Sequence, residues 1–299
     1  MRRSPLKAEP ILFLNGEYKP LGDAHISVLD QGFLLGDGVF DVVSAWRGRI
    51  FKLAEHLDRF FDSLQAACLT TPMTRADWQA AIIETARRNA LPDASIRFIV
   101  TRGVPQGVVA DPRDYVATTV IWVAPYVFLA DETKRREGVR LMISSTRGFA
   151  PDTLDPRYKC LDRLASQMVR LEALLAGYDD ALWLDQHGHV AEAAASNVFA
   201  VKHGVLYTPA LGILRGITRQ VFLDLARELG IETRETNLSA FDLYTADEVF
   251  TTSTAGGSLP VREIMGRVLR GPVPGPVTSA LSGRYWAMRD SGRDATPFL

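Results

Sequence analysis

Residues 157–177 read R-Y-K-C-L-D-R-L-A-S-Q-M-V-R-L-E-A-L-L-A-G. Beyond them the chain continues through A-L-W-L (181–184), H-G-H (187–189), A-E-A-A-A-S-N-V-F (191–199), L-Y-T-P (206–209) and L-R-G-I-T-R (214–219). The apolar spacing after Cys160 predicts an amphipathic helix that ends at Gly177. Ala181 to Leu184 predicts a strand, Gly188 a turn, and L-Y-T-P the second arm of a further hairpin. Gly216-Ile217-Thr218 opens another helix. Three chemical parts stand here in order: the amine of Lys159 before a helix, the carboxylate of Glu192 in a small-residue segment, and a glycine and hydroxyl at a helix mouth.

Upstream, Ile11 to Leu14 and Glu17-Tyr18 flank Asn15-Gly16, which supplies the two positive-φ positions of a hairpin turn. Ile26 to Leu29 is expected as a strand, and Val39 to Trp46 as another after the backbone is relaxed by Gly36 and Gly38. Gly48 turns the chain into Ile50-Phe51. The apolar period then becomes helical, over Leu53 to Leu64 and again over Arg75 to Asn89. Ser95 to Thr101 alternates, which puts Arg97 on the face opposite Ile96, Phe98 and Val100. Val116 to Tyr126 predicts a buried strand, and D-E-T-K-R-R-E-G (131–138) is the strongest composition shift and the expected linker. The expected domains are therefore 1–132 and 133–299, the second carrying Lys159. Downstream, Val139 to Ser144, Ile231 to Thr236 and the run through Glu248-Val249-Phe250 read as strands. Ile217 to Leu229 and the segment from Pro276 to Arg289 read as helices, and Ser291 to Leu299 is expected to fray.

With 299 residues, a formal net charge of -1 and a sequence pI near 6.5, the chain has material for two domains. It gives no electrostatic reason to expect nucleic acid or a membrane surface as partner. Two cysteines, Cys68 and Cys160, fit a reducing compartment. The basic N-terminus precedes an apolar run too short for a secretory signal, so a soluble cytoplasmic protein is expected.

The six lysines are Lys7, Lys19, Lys52, Lys134, Lys159 and Lys202. Five have ordinary solvated readings in the tail, at turns, in the linker or at a helix start. Lys159 lies between Tyr158 and Cys160 in a loop among apolar elements, where desolvation would lower its pKa and favour bonding to an aldehyde. Taken alone, Glu192 reads as an exposed or paired carboxylate, and Gly216-Ile217-Thr218 as a plain helix cap. Thr252-Ser253-Thr254-Ala255-Gly256-Gly257 offers hydroxyls and backbone N–H groups at a strand end, and Arg59 offers a formal charge that these neutral donors lack. His187 and His189 flank a turn glycine with no third ligand nearby, so no metal is expected. Together, an amine, an anion for a ring nitrogen and a phosphate site at a helix N-terminus are what pyridoxal 5′-phosphate requires.

In order along the chain, N-G-E-Y, G-D-G-V-F-D, F-K-L-x-E-H-L-D-R, Lys159, E-A-A-A-S-N-V-F, L-R-G-I-T-R, A-D-E-V-F and T-S-T-A-G-G-S-L-P-V resemble the class IV aminotransferases of pyridoxal phosphate fold type IV. The likeness runs from about Phe13 to Met288. It implies an α/β (α+β) fold of two α/β domains, the cofactor between them, and a homodimer. It also implies that Lys159 bonds the cofactor and moves a proton between Cα and the cofactor's C4′ carbon. Glu192 would pair with the pyridine nitrogen and Leu214 would lie against the ring, while Arg59, Ile217, Thr218, Ser253 and Thr254 would hold the phosphate. Leu35, Phe40, Val42, Arg97, Thr254 and Ala255 would meet the substrate, an amine or amino acid and an α-keto acid.

Within that family, Val42-Val43, T-T-S-T-A-G-G and the terminal Y-W-A-M resemble D-amino acid and (R)-amine transaminases, which is the leading expectation. Arg97 resembles the branched-chain enzymes and would bind a carboxylate. An aminodeoxychorismate-type lyase is the third reading. Two departures stand out. Leu164 occupies a place where the family often has a tyrosine for the cofactor's phenolic oxygen, and Val104 to Ala110 lacks the Arg-x-His carboxylate trap of typical D-amino acid enzymes.

Overall fold

The turn at Asn15-Gly16, with φ of 49° and 91°, folds Ile11–Leu14 (β1) back on Glu17–Pro20 (β2) in antiparallel register. The computed structural model describes residues 9–107 and 111–299. Lys7 and residues 108–110 of the Val104–Ala110 loop lie outside them.

In chain order there follow α1 (Gln31–Leu35), β3 (Gly38–Trp46), β4 (Arg49–Phe51), α2 (Leu53–Ala66), α3 (Arg75–Asn89), β5 (Ala94–Pro105) and β6 (Tyr115–Pro125). Then come α4 (Glu132–Glu137), β7 (Val139–Arg147), α5 (Leu164–Leu175), β8 (Asp180–Leu184), β9 (Val190–Ala193), β10 (Asn197–Lys202) and β11 (Val205–Thr208). The last are α6 (Ile217–Glu228), β12 (Thr233–Glu235), α7 (Ala240–Tyr244), β13 (Glu248–Ser253), β14 (Gly257–Ile264), β15 (Arg267–Val268), α8 (Pro276–Ser291) and β16 (Ala295–Pro297). These fall into two compact units. The first runs to Val127 and adds Lys159–Asp162 and Gly292–Leu299; the second holds Phe128–Tyr158 and Arg163–Ser291. Lys159 is thus grouped with the first unit, whereas a continuous 133–299 domain was expected to carry it.

The first unit is a seven-stranded antiparallel sheet in the order β16-β4-β3-β5-β6-β1-β2. Leu53, Leu57, Phe60 and Leu64 of α2 and Trp78, Ile82 and Ala86 of α3 recur at helical spacing. They are buried with Val39, Val43, Ile96, Phe98 and Val100 of the sheet. Each valine, leucine, isoleucine or phenylalanine among them contributes about 1.5–3 kcal/mol by leaving water. Phe60 meets Trp78 and Phe98 edge-on, with centroids 5.1 and 4.9 Å apart.

The second unit is a nine-stranded mixed sheet, β12-β11-β10-β13-β14-β7-β8-β9 with β15 on β14. The pairs β11/β12, β14/β7 and β7/β8 are parallel. Phe199 of β10 stacks on Phe250 of β13 at 5.0 Å, and Phe222 of α6 and Tyr285 of α8 extend that aromatic layer. Val169 and Ala173 of α5 are buried with Ala181 and Trp183 of β8.

Four expectations are corrected. Ile26 to Leu29 is not a strand: Asp30 is buried, caps α1 through the Gly32 N–H, and accepts from the hydroxyls of Thr101 and Thr118. These bonds commit the segment to a loop and a helix start. The charged run at 131–138 forms α4, capped by the Asp131 side chain. Val116 and Trp122 of β6 are exposed, so that strand is buried on one face only. Ser291 to Leu299 does not fray, because β16 pairs with β4 and Phe298 is 4% exposed in the first core. Among the described residues no helix is long and apolar enough to cross a membrane.

Candidate active site

In the first unit, β4 pairs with β3 only at Ala45 and Trp46, which leaves the earlier half of β3 open along that side. Residues 159–161 occupy it. The Phe40 N–H donates to the Lys159 carbonyl and the Leu161 N–H to the Gly38 carbonyl, both at 2.9 Å, and Val39 bridges Cys160. A side chain at Gly38 would put its Cβ 2.7 Å from both Leu161 Cδ1 and the Val100 carbonyl, so glycine is what admits the crossing strand. Two ladder bonds therefore fix the lysine's backbone in what the sequence alone presents as a loop. Lys159 is half-buried, and its Nζ stands 5.0 Å from the Phe40 ring centroid.

The guanidinium of Arg97 lies over the same ring, 5.2 Å from its centroid. Phe40 pairs with Ile99 and Val42 with Arg97, which in turn pair with Val120 and Trp122. Cross-strand partners point to one face, so Phe40, Val42, Arg97 and Trp122 share the face turned away from the core residues Val39, Val43, Ile96 and Phe98. Leu35 ends α1 and is 73% exposed.

Asp41 alternates to the core side and is wholly buried. Its Oδ2 accepts from Arg59 Nε at 2.8 Å; its Oδ1 accepts from Arg59 Nη2 at 2.7 Å and lies 2.8 Å from His56 Nδ1. Burial pushes the Asp41 carboxyl up, but the charge of Arg59 and the hydrogen bonds of His56 and Arg59 override it and hold the group well below the usual carboxylate range. Burial pushes His56 below its ordinary 6.5, with Asp41 opposing and the charges of Arg59 and Lys159 adding to the fall. A neutral imidazole then donates through Nδ1 to the carboxylate.

In the second unit, Glu192 Oε2 accepts from the Leu214 N–H at 3.1 Å and from Asn197 Nδ2 at 3.2 Å. Asn197 Nδ2 also donates to the Leu214 carbonyl at 2.8 Å. Asn197 thus ties the carboxylate strand to the segment that leads into α6. Gly216 gives that helix no side-chain cap, and a Cβ at Gly216 would lie 2.1 Å from Asn197 Oδ1. Thr218 is buried, with its side chain hydrogen-bonded to Tyr285. The Tyr285 ring lies against Gly257, and its hydroxyl accepts from Arg289 Nη1 at 3.3 Å. Tyr285 therefore joins the mouth of α6 to the turn Thr254–Gly256, which is closed by the pair Ser253 and Gly257. Thr252 Oγ1, directly across from Asn197, is buried without a partner among the described residues. A carboxylate fixed by an amide, a helix mouth without a side-chain cap and a spare buried hydroxyl form a donor set that suits a protonated ring nitrogen and a phosphate.

The expected site residues thus form two sets. Leu35, Phe40, Val42, Arg59, Arg97 and Lys159 belong to the first unit, and Glu192, Leu214, Ile217, Thr218, Ser253, Thr254 and Ala255 to the second. His189 Nδ1 lies 3.2 Å from Asp185 at a turn. Sequence reasoning passed over Asp41, His56, Asn197, Trp122 and Tyr285. A signal existed for the first two: Val39, Asp41 and Val43 alternate inward, so a buried carboxylate needs cations, and His56 and Arg59 are three apart on one helix face.

A family model described as "Amino-transferase class IV" matches residues 38–264. A Methanocaldococcus jannaschii protein provisionally named as a branched-chain-amino-acid aminotransferase is 42% identical over 281 residues, 93% of this chain and 96% of that one. The crystal structure of Escherichia coli branched-chain amino acid aminotransferase superposes with a TM-score of 0.93 at 30% identity, covering 98% of this chain and 100% of its own. The T.th. branched-chain amino acid aminotransferase with pyridoxamine 5′-phosphate superposes with a TM-score of 0.92 at 30% identity, covering 98% and 99%.

Proposed function

Because the chain belongs to the class IV aminotransferase family, we propose that it is a branched-chain L-amino acid aminotransferase. In this role it exchanges an amino group between such amino acids and an α-keto acid. It is a fold type IV enzyme that depends on pyridoxal 5′-phosphate. The observation that carries the substrate reading is Arg97, a guanidinium over the Phe40 ring on a face shared with Val42 and Trp122. A cation among apolar side chains suits a carboxylate joined to a hydrocarbon. The three relatives described above, each bearing a branched-chain name, favour this reading over the D-amino acid or (R)-amine preference expected from Val42-Val43 and T-T-S-T-A-G-G.

When bound, the cofactor supplies an electron sink that makes the substrate's Cα–H acidic. Lys159 would hold the cofactor covalently and carry the proton to and from Cα. Arg59, with the N–H groups at Ile217 and Thr218 and the hydroxyls of Ser253 and Thr254, would bind the phosphate. Glu192, held by Asn197 and the Leu214 N–H, would keep the ring nitrogen protonated, with Leu214 against the ring. Arg97 would orient the substrate carboxylate, and Thr254 and Ala255 would also be substrate residues. We also propose a cytoplasmic homodimer. Leu164, Met168, Leu171 and Leu175 of α5 are exposed at coiled-coil spacing, opposite the buried Val169 and Ala173. Such a stripe would suit pairing with its own copy across a two-fold axis.

The test is the cofactor's visible absorbance during half-reactions with L-leucine, D-alanine and (R)-1-phenylethylamine. L-Leucine should bleach it. Bleaching by D-alanine or the amine alone would overturn the substrate reading.

A further inference from the structure

Asp41 and His56 have no part in the transfer chemistry itself, yet they are among the most buried polar groups of the first unit. A carboxylate at 0% exposure is untenable without partners. Replacing such a buried pair by apolar side chains is often neutral or stabilising, so stability alone does not account for it. What the pair supplies is orientation. Asp41 grips one edge of the Arg59 guanidinium through Nε and Nη2, at 2.8 and 2.7 Å. Its own carboxylate is set by the Val42 N–H at 2.6 Å and by His56 Nδ1 at 2.8 Å. The planar fork then has one plane and one direction, with its opposite edge turned away from β3.

We propose that Asp41, with His56 as its second anchor, is a positioning residue that pre-sets Arg59 for the cofactor's phosphate. The inference rests on the reading of Arg59 as a phosphate ligand. An arginine on a long flexible stem loses rotamer freedom when it meets an anion. A stem already fixed by Asp41 loses less, and affinity rises by that difference. The effect is specific to the phosphate, because Arg59 reaches no other part of the cofactor in this reading.

The experiment compares binding of pyridoxal 5′-phosphate and of pyridoxal, which lacks the phosphate, to the apoprotein of wild type, Asp41→Asn and Arg59→Ala. Asp41→Asn should weaken pyridoxal phosphate by about tenfold to a hundredfold while leaving pyridoxal within about threefold. Equal weakening of both ligands would make Asp41 a core ion pair only and overturn the inference. If Arg59→Ala leaves the preference for the phosphorylated form intact, the phosphate reading of Arg59 has failed and takes the inference with it. Should Asp41→Asn not fold by circular dichroism, the His56 variants decide. His56→Gln loses the donor at the Nδ1 position and should lower the preference, whereas His56→Asn keeps that donor and should retain it. Equal preference in the two His56 variants would overturn the inference.

Discussion

The two units hold their candidate site residues by different physics. The first unit uses charge in the dry interior: Arg59 is fixed by a buried carboxylate, which a histidine also meets. The second uses neutral groups and close approach: Asn197 spans Glu192 and Leu214, Tyr285 touches Thr218, and the main chain at 216 comes too near Asn197 for any side chain. The lesson is that a charged support responds to pH, whereas a neutral, tightly fitted one responds to volume.

The largest effect should come from removing the amine. Lys159→Ala is expected to lower turnover by at least about 10⁴-fold, as loss of both covalent anchor and proton carrier implies. The unfolding midpoint should hardly move, because the ladder bonds that hold this segment are made by the backbone of Lys159 and Leu161 and not by the lysine side chain. Stopped-flow half-reactions and thermal unfolding check both. Next, Gly216→Ala pits volume against the neutral support. Its Cβ would meet Asn197 Oδ1, so overpacking should cost about 1–3 kcal/mol in chemical denaturation; an unchanged midpoint would mean that this fit is loose.

The pH response should sharpen the contrast. His56 titrates below its ordinary 6.5 in the folded chain, so the unfolded chain binds more protons in the window beneath that value. Stability should then fall as pH drops below about 7.5, through the ordinary histidine range and on to the lower folded value, and His56→Asn should flatten the profile. Asp41, held below the usual carboxylate range, acts in the same direction but only at lower pH, where the unfolded chain's carboxyl takes up its proton first. Tyr285→Phe should show the smallest effect. It removes a hydroxyl that Thr218 meets and that accepts a long bond from Arg289, together worth about 0.5–1.5 kcal/mol, and should weaken cofactor binding no more than about tenfold.

Much of this was legible in the residues. Asn15-Gly16 fixed a hairpin, the stripe Leu53, Leu57, Phe60 and Leu64 fixed α2, and the apolar spacing from about Arg75 to Asn89 marked α3. Legibility ended where a local pattern is decided by a distant partner. Ile26 to Leu29 has strand-like apolar content, but Thr101 and Thr118 hold Asp30 and set the conformation there. The tail looks polar and loose until Phe298 finds the first core. Lys159 has no helix or strand period of its own, and only the open side of β3 explains its place. The same limit applied to the site. Glu192 and Thr218 lie within suggestive local runs, whereas Asn197 and Tyr285 matter through contacts that no spacing announces.

The pairing of Ala295–Pro297 with Arg49–Phe51 bears on the order of assembly during synthesis. The unit that leaves the ribosome earliest has a border that residues near 160 and near 296 must still come back to complete, so its hydrophobic interior stays open at one side while the other unit is being made. The earlier-made unit is therefore the later to be finished, and its maturation is tied to the arrival of distant sequence.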